Sequence, residues 1–477
     1  MARSILFHAR SAGRGVMLAG TAGLLAMAVP AQAESLADAI TFAYDTNPDL
    51  LSQRAQMRAL NERYVQARGQ LGFTLDATAS MEVQHAVVDS TSARNVYKAE
   101  TGTETLSLSQ PIYSGGRARA QIQSALASVF VAYQNLRTEQ NRILNEVVTA
   151  YVDVQRDQQI VAINEDNVKL LEGQIEETRA KLAVRESTLT DRDQGFARIA
   201  AARAQLVFSR AQLENSRSRY TAVVGRAPAA LAEAPPLPKV AASETDAFAL
   251  AEQSSPTLLA AEFQERASRA GVLLARAARM PSVSLRGDIY RGPLVAYDES
   301  LKNNNESVRV VVNMPLYSSG VVSSRIREAK ARNDLDLNQT EAARRQVLLS
   351  VSQAWQQASA STEAVDLYNQ QVTAQEGAYK GNKLEQRFGL RSTIEALNAA
   401  QELNNARVNR AQAVHDAYAG ESALLAAAGK LDPTVFGVPV ADDLAPDIKK
   451  LNSRNIIPWA PLIQALDSIG QPSVFDK

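Results

Sequence analysis

The 477-residue chain contains no cysteine. Disulfides, thiolate metal sites, cysteine nucleophiles and a lipid on an N-terminal cysteine are therefore excluded together. The absence also suits an oxidising compartment without requiring one. Histidine is scarce too, with three in all. His8 falls in a basic leader, which leaves His85 in a predicted strand or loop and His415 in a predicted helix. His415 and Asp416 are adjacent, so they point to different helix faces, which suits surface residues better than a catalytic pair. No zinc-protease helix motif, nucleophile elbow, Walker loop, dinucleotide fingerprint or calcium loop occurs. We expect no enzyme, cofactor or metal. Aromatics make up only 5% of residues against 45% apolar in total, and Ala, Gln and Leu dominate long stretches, which favours long helices over a compact aromatic core. The formal net charge is zero, and no segment concentrates Lys and Arg, so no basic field exists to hold nucleic acid.

Long apolar runs are missing as well. Residues 1–33 read as a secretory signal: Arg3, Arg10 and Arg14 precede an apolar run from Val16 to Met27, and Ala31-Gln32-Ala33 supplies a small-residue cleavage site. That run is shorter than the roughly 20 residues a spanning helix needs. Downstream no stretch of 18 apolar residues follows, so any membrane crossing must be made by strands.

What is present is a duplication. Gln110-Pro111-Ile112-Tyr113-Ser114-Gly115-Gly116 is echoed 204 residues later by Met314-Pro315-Leu316-Tyr317-Ser318-Ser319-Gly320. The same offset relates Thr188-Leu189-Thr190-Asp191 to Ser392-Thr393-Ile394-Glu395, and Val223-Val224-Gly225 to Ala427-Ala428-Gly429. Asn47-Pro48-Asp49-Leu50 and Ser255-Pro256-Thr257-Leu258 lie 208 apart. The expected organisation is a first repeat over 34–225, a Pro-rich linker over 226–242, a second repeat over 243–430, and a tail over 431–477 that is equatorial or partly disordered.

Each repeat opens with an amphipathic helix and continues into two alternating segments, at about 73–113 and 282–317. Phe73, Leu75, Ala77, Ala79, Met81 and Val83 share one face, while Asp76, Ser80, Glu82 and Gln84 share the other, as in a half-buried strand. Leu106, Leu108 and Ile112 resume the pattern after a polar loop at roughly 86–103. Val283, Leu285 and Ile289 repeat it, facing Val308, Val310 and Val312. Four strands of about ten residues have the length of tilted bilayer-crossing strands. Four cannot close a barrel, which needs about eight, so they are pooled between chains or form an ordinary sheet. Three chains would supply twelve.

A very long heptad pattern follows each Tyr-Ser-x-Gly turn. Leu126, Tyr133, Gln140, Val147, Val154, Val161, Val168, Ile175 and Leu182 occupy one position, with Val129, Leu136, Ile143, Ala150 and Leu171 three residues on. The second seam, through Leu337, Val351, Ala358, Val365, Val372 and Tyr379, is smaller and more polar. Breaks near residues 186–191 and 387–395 turn each long helix back along a second one.

Together these residues resemble the TolC family over about Ser35 to Lys430. The Gln110–Gly116 strand-end turn, the Asn47-Pro48 element and the paired helical turns carry the resemblance. It implies a mainly α chain with membrane β: an internally duplicated protomer of a homotrimer, with a twelve-stranded outer-membrane barrel continuous with a twelve-helix periplasmic tunnel. It further implies a passive exit duct serving drug efflux or type I secretion. Its partners would be outer-membrane lipid, a periplasmic adaptor and an inner-membrane ABC, RND or MFS transporter. Missing a lipidatable cysteine, the chain leans toward the TolC-like and secretion branches and away from the lipoprotein efflux branch.

The family's helical tips carry a Val-Gly-x-x-Ser/Thr-x-x-Asp type motif that would dock the adaptor. Phe388, Gly389, Ser392 and Glu395 follow it at the second turn. Val184, Arg185, Thr188 and Asp191 follow it at the first, with Arg185 where the motif has glycine. Acidic residues after the second turn constrict the closed entrance in such channels, and these positions fall on Glu395 and Asn398, with Arg391 at a position that ties the entrance shut. Three Glu395 carboxylates on a threefold axis would favour cations and offer large trivalent ions a blocking site. Ser392-x-x-Glu395 also reads as a helix capping box. The strand-to-helix turns use Pro111, Tyr113 and Gly116, and Pro315, Tyr317 and Gly320. The two tyrosines suit either an interfacial girdle or simple corner packing. Two other classes share some of these features: a secreted coiled-coil scaffold or adhesin, and a periplasmic adaptor, which would need a lipoyl-like segment that is not found.

Overall fold

In a computed structural model, the chain is described over residues 33–89, 91, 94–185, 187–295, 298–439, 445–468 and 473–475. The leader before Ala33, and Glu186 at the first helical turn, lie outside the described residues.

The duplication sets the order of elements. The first repeat runs α1 (Leu36–Thr46), α2 (Pro48–Gly69), β1 (Thr74–Asp89), β2 (Arg94–Tyr113), α3 (Arg117–Ala183) and α4 (Leu189–Val224). The second runs α5 (Glu244–Ser254), α6 (Pro256–Ala277), β3 (Ser282–Val295), β4 (Asp298–Asn313), α7 (Val321–Arg387) and α8 (Thr393–Ala427). The helix starts are written locally. Asn47 Oδ1 accepts from the Asp49 and Leu50 amides ahead of Pro48, and proline at the first helical position gives up an amide that would lack an intrahelical partner. Ser35 and Asp38 form a reciprocal capping box on α1.

At 67 residues each, α3 and α7 are rods of about 100 Å. The helices form a wall of four columns: α2 above α4, then α3, then α6 above α8, then α7. The α3 column lies inside this wall, so its seam is buried at Val129, Leu136, Ile143, Val147, Ala150 and Val154. The α7 column is an open edge. Only Ile326, Val347, Val351, Ala358, Ser361 and Gln386 of its residues are buried. Among the described residues no helix is long and apolar enough to cross a membrane.

The strands form one antiparallel sheet in the order β1-β2-β3-β4. They are 16, 20, 14 and 16 residues long, which corrects the expected ten. The region read as a polar loop is largely paired strand, with Glu100 opposite Val83 and Lys98 opposite His85. Alternation reports which side chains meet an apolar surround, whereas the ladder is backbone hydrogen bonding and continues where both faces are wet. Register places Leu75, Leu108, Gly287 and Val308 in one row and Ala77, Leu106 and Ile289 in the next. Many apolar residues of this face are exposed, among them Leu75, Met81, Val83, Val308, Val310 and Val312. The opposite face carries Ser107, which donates to Asp288 at 2.8 Å, and an Arg309–Asp288 ion pair.

The linker is clamped to the helices. Glu34 N donates to Ala230 O (2.7 Å), Ala232 N returns to Glu34 O (2.9 Å), and Tyr151 Oη donates to Ala232 O (2.6 Å). The Glu34 carboxylate is buried and accepts from Tyr220 Oη and Arg226. Burial pushes the Tyr151 hydroxyl up to about 12. After α8 a short 3-10 turn, Pro433–Phe436, joins the core around α1. The tail then forms α9 (Ile448–Ser453) against α2 and α10 (Ala460–Asp467) against α3 and β2.

Candidate functional site

The two tip turns each place a left-handed residue at the matching position despite their different sequences. Gly389 has φ 72° and Arg185 has φ 64°. Glycine takes this left-handed conformation freely, whereas an L side chain there costs about 1–2 kcal/mol. The arginine therefore takes the left-handed backbone of its glycine counterpart and adds strain at that residue.

Both second helices begin with the same device. Asp191 N donates to Thr188 Oγ1 (3.1 Å), while the Thr188 amide and hydroxyl donate to Asp191 Oδ2 (3.0 and 2.7 Å). Glu395 N donates to Ser392 Oγ (3.3 Å), and the Ser392 amide and hydroxyl reach Glu395 Oε2, each at 2.9 Å. The hydrogen bonds from Thr188 hold the Asp191 carboxyl below its ordinary range. Those from Ser392, with Arg391 beside it, do the same for Glu395. Both acids are therefore charged at neutral pH, where they also complement the helix dipole.

Arg391 and Glu395 are brought together. Arg391 Nη1 donates to Glu395 Oε1 (3.0 Å) and Nε to Glu385 Oε2 (2.9 Å), so the guanidinium staples the end of α7 to the start of α8. Asn398 lies one turn further along α8 and faces elsewhere: its Oδ1 accepts from Arg198 Nη2 of α4 at 2.9 Å. A second link between the repeats is buried nearby, where Gln174 Nε2 of α3 donates to Gln386 Oε1 of α7 (3.3 Å). Glu385, Arg198, Gln174 and Gln386 escaped the sequence reading. Each pairs with a residue distant in sequence or sits before the motif, and no spacing rule marks such a contact. Val184 and Phe388 protrude, 65% and 73% exposed, at the ends of the two hairpins.

The strand-to-helix turns are less alike. Gly116 and Gly320 start α3 and α7 in the left-handed conformation, at φ 82° and 78°. Pro111 and Tyr113 are half-buried. Around them the tail closes the corner: Ser114 N and Oγ donate to Asp467 Oδ1 and Oδ2 at 2.7 and 2.5 Å. At the second corner Pro315 is exposed and Tyr317 is 87% exposed.

Midway along the wall His415 corrects its surface assignment. Its side chain is only 10% exposed, with Nε2 2.9 Å from Asp153 Oδ1 on α3 and Nδ1 2.8 Å from Asp416 Oδ1. Arg156 joins Asp153 and Asp157, and Arg219 of α4 approaches Asp153. Packing of α8 on α3 buries the imidazole, and the Asp416 side chain folds back to it, so adjacency in sequence did not separate them. Burial pulls the His415 pKa down, but the hydrogen bonds the imidazole donates to Asp153 and Asp416 outweigh this and leave it raised.

The chain as a whole is similar to known proteins. The chain is 30% identical over 432 residues to the outer membrane efflux protein BepC of Brucella suis biovar 1 (strain 1330), covering 90% of each chain. It is 23% identical over 432 residues to the outer membrane protein TolC of Escherichia coli (strain K12), covering 83% of this chain and 82% of that one. Its fold matches the solved outer-membrane channel OprN with a TM-score of 0.73 at 22% identity, over 83% of this chain and 90% of that one. The outer membrane efflux protein family matches at residues 40–226 and 248–430, one segment in each repeat, and the chain belongs to that family.

Proposed function

We propose that the chain is one protomer of a homotrimeric duct that crosses the outer membrane and extends far into the periplasm. The duct is a passive exit path for small toxic compounds or secreted proteins delivered by an inner-membrane transporter through a periplasmic adaptor. It performs no catalysis; the energy comes from the transporter. The observation that carries the reading is a four-stranded sheet with one apolar face and open edges at β1 and β4, continuous with a helical wall open at α2/α4 and α7. Unpaired strand edges in lipid carry a large desolvation cost, and closure between copies removes it. With the apolar face toward lipid, the Ser107–Asp288–Arg309 face lines a wet lumen.

In this reading the α3–α4 and α7–α8 turns form the periplasmic entrance. Val184, Arg185, Thr188, Asp191, Phe388, Gly389 and Ser392 present the adaptor-docking surface. Arg391, Glu395 and Asn398 form the gate, the first two by stapling α7 to α8 and the third by tying α8 to α4. Membrane fractionation tests the assembly. The protein is expected in the outer-membrane fraction and, after detergent extraction, at the mass of three chains. A monomer in the soluble periplasmic fraction would point instead to a coiled-coil scaffold.

A further inference from the structure

The tail after α8 leaves an apolar surface that no described residue of the protomer covers. Residues 456–463, Ile456-Ile457-Pro458-Trp459-Ala460-Pro461-Leu462-Ile463, contain no charged or amide side chain. They divide by direction. Ala460 and Ile463 are buried against the helices with Leu451, and Ile457 lies over Gly72. Ile456 is 82% exposed, Leu462 66% and Trp459 37%. A segment that met only water would carry polar side chains at these outward positions.

The location indicates what meets them. The Trp459 ring lies 5.9 Å from that of Phe73, the residue just before β1 and of the same alternation class as Leu75. The β1–β2 register, extended by one residue, sets Phe73 beside Gln110, which pairs with Leu285, which pairs with Val310. Trp459 therefore sits at the lower border of the sheet's apolar face, on the side of the wall from which that face projects. Lys449 and Lys450 are exposed on α9 just before this segment. Tryptophan edging an apolar band with lysines alongside is the arrangement that favours a membrane–water interface, where the ring spans the headgroup level and ammonium groups meet phosphates.

We infer that Ile456, Trp459 and Leu462 form a membrane foot, which inserts into the headgroup and upper acyl region of the periplasmic leaflet. This rests on the reading of the strands as membrane-crossing. The foot would extend the apolar belt beyond the strands and fix the depth of the strand-to-helix corner that Asp467 closes. The competing cover is the next protomer's exposed β4 end at Met314, Leu316 and Tyr317.

Tryptophan fluorescence in phospholipid vesicles separates these cases, because the chain has only Trp355 and Trp459. Vesicles are made with phospholipid brominated near the top of its acyl chains, which quenches only rings in contact with it. The wild-type protein should lose emission relative to ordinary vesicles, and Trp459→Phe should not. A reporter in the strands, Met81→Trp in the Trp459→Phe background, is placed where the side chain is 76% exposed and tolerant of change; vesicles brominated near the chain ends should quench it. If that reporter is quenched while wild type and Trp459→Phe respond alike, the foot is overturned and the barrel reading stands, as it would be if the neighbouring protomer shields Trp459. If neither tryptophan is quenched, the strands do not cross the bilayer and the foot falls with them.

Discussion

Arg185 and Gly389, 204 residues apart in the chain, hold the same left-handed backbone at the two hairpin tips. One residue adopts it freely and the other does so under strain, so the geometry of the turn is set by the flanking helices and their caps more than by glycine.

Exchanging these residues should have unequal effects. A Cβ at Gly389 would meet nothing within 4 Å, so Gly389→Ala carries only backbone strain and should destabilise the tip by about 1–2 kcal/mol. Arg185→Gly relieves comparable strain but frees the unfolded chain, and should change stability by less than about 1 kcal/mol. Hydrogen exchange at the Leu390 amide, which donates to Glu385 O, reads the first change directly.

The two ties on α8 predict distinct gating behaviour. Arg198→Ala removes the bond from α4 to Asn398 and leaves the α7–α8 staple intact. Arg391→Ser does the reverse and leaves Glu385 and Glu395 with no cation between them. Both should raise the resting conductance of reconstituted channels. Only Arg391→Ser should also make that conductance depend more strongly on salt, since screening then acts on two carboxylates that no cation bridges. Equal salt dependence would remove Arg391 from the gate.

The His415 cluster predicts a pH dependence of stability. A histidine whose folded pKa is raised stabilises fully below its unfolded pKa of about 6.5 and loses that contribution as pH climbs through the raised value. Burial lifts the Asp153 carboxyl, but the His415 hydrogen bond and the Arg156 and Arg219 charges outweigh it and leave the pKa lowered. Its contribution is therefore present above about pH 4 and lost as pH falls through the folded value. Melting temperature should decline on the alkaline side of about pH 6.5, and His415→Asn should flatten that limb and also weaken the acid limb, because Asp153 loses the His415 hydrogen bond.

Asp467 is fully buried and holds the Ser114 amide and hydroxyl, while Ser114 Oγ in turn accepts from the Ala118 amide. Asp467→Ala strands a buried amide and should cost about 1–3 kcal/mol in denaturant unfolding. Among the described residues the tail makes no such bond to the corresponding corner at Ser318, so limited proteolysis should report loosening at the first corner only.

Periodicity made the architecture legible. The repeat offset and the heptads through Val147 and Val154 depend on local spacing, which a one-dimensional pattern records. The extra strand length was hidden because Glu100 and Lys98 contribute through backbone pairing, to which side-chain alternation is blind. At the entrance, Ser392 and Glu395 were visible as a capping box, whereas Arg198–Asn398 and Gln174–Gln386 join residues about 200 positions apart and leave no local trace. The same holds for His415 and Asp153, which meet only once α8 lies on α3. The inward and outward halves of residues 456–463 separate only against the helices beneath them.

Planar-bilayer recording of the detergent-extracted protein tests the central claim most directly. The account predicts steady conductance with cation preference, reduced or abolished in Glu395→Gln and blocked from the periplasmic side by large trivalent cations. A protein that enters the bilayer fraction yet passes no current would contradict it.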